Sequence, residues 1–314
     1  MSLGGQNRVE IGGPAATYHW TAPARGARAE EHTVARVLLQ GLALGESPRW
    51  HDGRLWFANW GTREIVAVDL SGKSEVVAHA PVDIPYSIDW LPDGRLLVVA
   101  QTRVLRVEPD GSLVTHADLS GIDHRGFNEL VVDGRGNAYV DGGGFDLMAG
   151  EPFAPGFVVL VRPDGTSTQV ADDIAFGNGM AVTPDNSTLI VAESYARQLT
   201  AFDIDSDGGL SNRRVWASLG EDPPDGICID AEGAVWYATV PGRRCVRVRE
   251  GGEVLATVDV DRGCFACMLG GPAGTTLFVL TAEWKGVQGI DFAQRTGQLL
   301  VADAPAPAVH AGWP

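Results

Sequence analysis

Residues 47–72 read SPRW-HDG-RLWFANW-GTREIVAVDLSG, and residues 87–111 read SIDW-LPDG-RLLVVAQ-TRVLRVEPDG. In each, a short apolar run meets an Asp-Gly turn, a longer apolar run follows, and a third run ends at another Asp or Gly turn. Apolar runs bounded in this way by turn dipeptides read as short antiparallel strands. The pattern returns at Asn128 (NELVV-DGRG-NAYVDGG, continuing as GFVVLVRPDG), at Gly179, at Gly226 and at Ala266. Equivalent apolar positions fall at Trp50, Trp90, Val132, Val182, Ile229 and Leu269, so the steps are 40, 42, 50, 47 and 40 residues. A period of about 40 to 50 residues with several strands per unit predicts an all-β, six-bladed β-propeller.

The last unit, ACML-GGPAG-TTLFVLTAEW-KGVQGIDF, supplies three strands, the third expected in KGVQGIDF. The segment HTVARVLLQGL ahead of the first unit is strand-like but has no partner of its own. The strand at residues 33–43 is therefore expected to close the ring as the outer strand of the sixth blade, which hides the terminal edges. Residues 1–32, rich in Gly, Ala and Pro, show no period and are expected to form a loose extension ahead of a single propeller domain at 33–314.

Composition narrows the function. The 314 residues include 40 acidic and 24 basic side chains, a formal charge of −16, which argues against nucleic acid and anionic membranes as partners. No apolar run approaches the ~18 residues of a membrane span, and the chain start lacks an apolar targeting core, so cytoplasmic location is expected. A monomer or weak homo-oligomer is the expectation for assembly. Forty glycines fit a protein built on many tight turns. The cysteines at 228, 245, 264 and 267 are too sparse for a disulfide framework and read as reduced and mostly buried.

In a propeller the residues just before the innermost strands crowd together at one mouth of the central channel. Four of those six positions carry oxygen ligands: Glu46 in LGESPRW, Asn128 in RGFNELVVD, Asn178 in FGNGMAVTPD and Asp225 in PPDGICID. The other two entries, near Tyr86 and Phe265, are aromatic. Asn-Gly and Asp-Gly are also ordinary turn dipeptides, but these four share one register, whereas Asp52-Gly53, Asp93-Gly94 and Asp133-Gly134 sit one strand later. Two carboxylates and two amide carbonyls make a hard-oxygen set suited to one divalent cation, calcium first, with Mg2+, Mn2+ or Zn2+ as alternatives.

The pattern E-x-P-x-W, an arginine-to-asparagine segment, then NGM and PDG before strands, resembles the senescence marker protein / gluconolactonase / luciferin-regenerating-enzyme-like family of six-bladed propellers, across about residues 33 to 300. The resemblance implies a divalent metal, commonly calcium, and hydrolysis of lactones. It puts Glu46, Asn178 and Asp225 on the family's metal positions, with Asn128 on an asparagine that is a substrate contact in some members and a ligand in others. The four-ligand set also resembles diisopropyl fluorophosphatase. Two departures stand out: the glutamate motif, commonly EGP, reads ESP here, and Arg125 lies three residues before Asn128 rather than two. They bear on a sugar-lactone substrate more than on the metal.

The expected activity is therefore metal-dependent hydrolysis of a small lactone or ester, the ion polarising the carbonyl and Asp225 acting as general base on water, or as nucleophile. Arg125, His124, Glu129 and Asn128 are the candidate substrate contacts. Residues 141–156 are the candidate covering loop, and Trp60, Tyr86, Phe145, Phe265 and Trp284 a candidate apolar rim. Glu193 and Ser194 are candidates for supporting a ligand. The alternatives are phosphotriester or fluorophosphate hydrolysis at the same ion, or a non-enzymatic propeller stabilised by calcium that binds a ligand. No GxSxG elbow, HExxH helix, P-loop or GxGxxG fingerprint is present.

Overall fold

The structure, a computed structural model, describes residues 31–81 and 84–309. Among the described residues it contains six sheets arranged as a six-bladed propeller, each built on four antiparallel strands and one extended by a fifth. Blades 1 to 5 are each formed by four consecutive strands whose inner members are Gly45–His51, Tyr86–Trp90, Phe127–Val132, Gly177–Val182 and Pro224–Ile229. Blade 6 runs from its inner strand Gly263–Gly270 through Thr276–Ala282 and Gly297–Asp303 to Arg36–Leu42. The outermost strand of the last blade thus comes from the chain's N-terminal side and covers an edge that would otherwise be open. A two-residue strand, Glu31–His32, pairs parallel with the outer strand of blade 5. Of the extension expected at residues 1–32, residues 1–30 lie outside the described residues.

One strand differs from expectation. KGVQGIDF is not the third strand of blade 6: Val287–Gly289 forms a short 3-10 turn, and the strand is Gly297–Asp303, GQLLVAD. Gly286, at φ +80°, interrupts the run, whereas GQLLVAD offers an unbroken β-forming face. The displaced segment becomes an apolar loop over the channel mouth.

The core lies between blades rather than within one layer. Six apolar clusters each join two neighbouring sheets; one holds Leu97, Val99, Leu130 and Val140 from blades 2 and 3, another Trp236, Cys245, Leu277 and Val279 from blades 5 and 6. Alternate side chains of each strand serve the interface on either side, so strands buried on both faces read as nearly continuous apolar runs. Each fully buried Leu or Phe contributes about 1.5–3 kcal/mol. All four cysteines are free and buried, as read from the sequence, with Cys228 and Cys267 Sγ atoms 4.0 Å apart.

Candidate active site

The inner strands are irregular where the candidate ligands sit. Two residues oppose one at Ser47-Pro48 across from Phe57, at Asn128-Glu129 across from Asp141, at Asn178-Gly179 across from Ala192, and at Asp225-Gly226 across from Ala238. Blade 2, whose entry is Tyr86, pairs without interruption. Bulges of this kind swing a side chain out of the sheet's alternation; Asn128, Asn178 and Asp225 lie within them, while Glu46 pairs with Ala58 immediately before the one in blade 1. The inner strands also approach closely: a Cβ on Gly226 would come 2.6 Å from Ala266 Cβ, and one on Gly179 would come 2.5 Å from the Ile227 nitrogen. Only glycine fits at either position.

Glu46, Asn128, Asn178 and Asp225 all face one cavity of about 510 Å³ at the channel mouth, together with Glu129 and Arg125. Glu46 and Asp225 are buried. Burial, followed by the charges of Asp225 and Glu129, pushes the Glu46 carboxyl well above the ordinary carboxylate range. Burial and Glu129 do the same to Asp225, with a hydrogen bond from Asn178 opposing them. Two buried carboxylates side by side are the situation that a divalent cation relieves. Among the described residues no group of three or more His, Cys, Asp or Glu side chains forms a metal cluster. The set that converges is instead two carboxylates with two amides, a donor set whose chemistry fits a hard cation.

Glu129 has a different setting from Glu46 and Asp225. Its Oε1 lies 3.0 Å from Arg49 Nη2 and accepts the Leu130 N–H at 3.1 Å and the Ser47 hydroxyl at 3.2 Å. Arg49 reaches Asp89 as well, with Nε 3.4 Å from Oδ2, and Asp89 accepts the Val132 and Trp90 N–H groups. This buried Asp89–Arg49–Glu129 triad joins blades 1, 2 and 3 beneath the cavity. Ser47 adopts a left-handed backbone at φ +51°, accepts the Ile88 N–H at 3.0 Å and donates to Glu129. The site of the ESP departure thus demands a conformation that favours glycine, and the serine hydroxyl fastens two neighbouring blades in its place. Asp141 accepts the Glu129 N–H at 2.6 Å, and burial raises its carboxyl well above the ordinary range. Arg49, Asp89 and Asp141 escaped the sequence reading; the available signal was a charged residue inside an otherwise apolar strand.

The other candidates divide. Arg125 lies at the cavity edge but is held in ion pairs, 3.1 Å from Asp123 and 3.4 Å from Glu151. His124 is exposed on the same loop and does not line the cavity. Trp60, Phe145, Phe265 and Trp284 do line the cavity. Tyr86 does not: it is fully buried, its hydroxyl donating to the Asn59 and Glu64 carbonyls. The 141–156 loop contributes Gly143, Phe145, Asp146, Leu147 and Met148 to the wall. Glu193 is engaged elsewhere, pairing with Arg213 at 3.0 Å and accepting the Ala175 N–H, while Ser194 donates to the Pro224 carbonyl at 2.6 Å.

Residues 44–283 match the model of the SMP-30/Gluconolactonase/LRE-like region. The chain belongs to this family. Among its SMP-30/gluconolactonase-like relatives are regucalcin of Xenopus laevis, 29% identical over 275 residues that cover 79% of this chain and 88% of that protein, and pentonolactonase XacC of Haloferax volcanii, 29% identical over 264 residues that cover 81% and 87%. The solved structure of a regucalcin from Agrobacterium tumefaciens, described as a calcium-binding protein, superposes with a TM-score of 0.72 at 22% identity, covering 89% of this chain and all of that one. At that identity the likeness speaks for the six-bladed fold. Among the described residues no helix is long and apolar enough to cross a membrane.

Proposed function

We propose that this SMP-30/gluconolactonase-like chain hydrolyses lactones with the help of one divalent cation, calcium first, held by Glu46, Asn128, Asn178 and Asp225. The observation that carries the reading is that those four oxygen-bearing side chains line one cavity. Membership of a family described by its gluconolactonases, and 29% identity to a pentonolactonase, support the reaction type.

When bound, the cation would polarise the lactone carbonyl and stabilise the negative charge that develops on its oxygen. Asp225 takes the proton from the attacking water as the water oxygen bonds to the carbonyl carbon. The ring C–O bond then breaks, the former ring oxygen receives the proton that Asp225 had taken, and the product is a hydroxy acid that ionises. Asn178, donating to the Asp225 carboxylate, fixes its orientation. Glu129 is committed to Arg49 and Ser47, and therefore acts as a positioning residue beneath Asn128.

A pH-indicator assay across a lactone panel tests this, because ring opening releases a proton. The wild-type protein with calcium is expected to acidify the medium, and Asp225→Ala to leave only background hydrolysis while keeping its fold. Full turnover by a folded Asp225→Ala protein would overturn the role of Asp225. Turnover of a phosphotriester but of no lactone would replace the substrate class.

A further inference from the structure

We infer that the substrate is a lactone carrying a bulky apolar group, aromatic or long-chain alkyl, rather than a polyhydroxylated sugar lactone. This rests on the lactone-hydrolase reading above and concerns what fills the rest of the cavity. Two apolar walls line it. One is built by Leu44, Trp60, Phe265, Trp284 and Phe292, which form a cluster of their own apart from the six between blades. Phe292 and its neighbours Val287 and Ile290 come from the segment that leaves blade 6 instead of forming its third strand. A second aromatic group lining the cavity is Phe145, Phe176 and Tyr195, with ring centroids 5.6 Å apart for Phe145–Phe176 and 5.0 Å for Phe176–Tyr195.

Several of the polar groups on these walls are already engaged. Ser194 donates to the Pro224 carbonyl, Asp146 accepts the Ala149 N–H, and Arg125 is paired with Asp123 and Glu151. Each hydroxyl of a sugar lactone gives up water on entering and needs a replacement partner, and walls of this composition supply few. An apolar substituent needs none and gains from leaving water. Aromatic side chains lining the cavity suit a flat ring in particular, since aromatic pairs favour offset or edge-on contact. At the mouth, Met148, Phe153 and Tyr195 are about half exposed, a continuation of the apolar surface outward along the entry path.

The test compares kcat/KM for a phenyl-substituted γ-lactone and for glucono-1,5-lactone, using the full chain with calcium. At least a tenfold preference for the phenyl lactone is expected. Tyr195→Ser, a change at an exposed position that the fold tolerates, is expected to reduce the preference at least threefold, chiefly through KM for the phenyl substrate. An equal or reversed preference overturns the inference while leaving the lactonase reading intact. Calorimetric titration with two non-hydrolysable lactams, one phenyl-substituted and one polyhydroxylated, decides the matter even if no lactone is turned over. Tighter binding of the phenyl lactam by tenfold or more upholds the inference in that case, and equal or weaker binding overturns it.

Discussion

Arg49 sets the charge balance beneath the cavity, since it is the cation that faces both Asp89 and Glu129 in a region all but closed to water. Truncating one partner of a buried, hydrogen-bonded ion pair leaves an uncompensated charge and costs about 3–5 kcal/mol. Arg49→Met is expected to lower stability by that amount in urea denaturation; a change within error would mean that the triad contributes nothing to the fold. At Ser47 the backbone and the hydroxyl make separable contributions. Ser47→Ala loses both hydrogen bonds yet keeps the left-handed strain, an expected loss of about 1–2 kcal/mol, whereas Ser47→Gly relieves the strain and is expected to lose less. The order of the two melting temperatures checks this, and a reversed order contradicts it. That Glu46, Asn128, Asn178 and Asp225 line one cavity was legible in the sequence because four of the six repeats place an oxygen-bearing side chain in one register. Arg49 and Asp89 were not, because nothing in an isolated strand says which blade's charge will face it.

At the scale of the strand, bulges take Asn128, Asn178 and Asp225 out of the sheet's alternation beside the cavity. No residue pattern announces them, since a two-against-one pairing depends on the partner strand as much as on the bulged one. What the sequence does carry is their companion glycines, Gly179 and Gly226, which sit where neighbouring inner strands nearly touch. Gly226→Ala would push a methyl to within 2.7 Å of Ala266 Cα and is expected to destabilise by about 1–3 kcal/mol in denaturant unfolding. An unchanged midpoint would show that the strands separate without penalty. The strand Arg36–Leu42 carries a different risk. Removing residues through Leu42 strips the sixth blade of its outer strand and exposes Leu299 and Val301, now buried. Light scattering after size exclusion is expected to show aggregation and calorimetry a lower melting temperature; a truncated protein that stays monomeric with an unchanged melt contradicts this account of ring closure.

Across the whole molecule, the six-fold repeat made the architecture readable, because every blade reuses one strand-turn-strand pattern and the spacing alone counts the blades. The reading failed where a segment looked apolar for a reason other than burial in a sheet. KGVQGIDF is apolar because it roofs the cavity, and Tyr86 is aromatic because it fills the core between blades 1 and 2. Both errors arise from the same limit: hydrophobicity records withdrawal from bulk water, not which surface provides the shelter. The acidic excess of the chain falls mostly outside the site, where Glu46 and Asp225 supply the formal charge that a cation would meet. Those two carboxylates, with Asn128 and Asn178, are proposed to hold an ion on which lactone hydrolysis depends. The most direct measurement is lactone turnover together with metal content, before and after exhaustive chelation and again after calcium is restored. The account predicts that activity disappears with the ion, returns as one cation per chain is regained, and that Asp225→Ala neither binds the cation tightly nor recovers. Undiminished turnover by a chelated protein with far less than one ion per chain would contradict it.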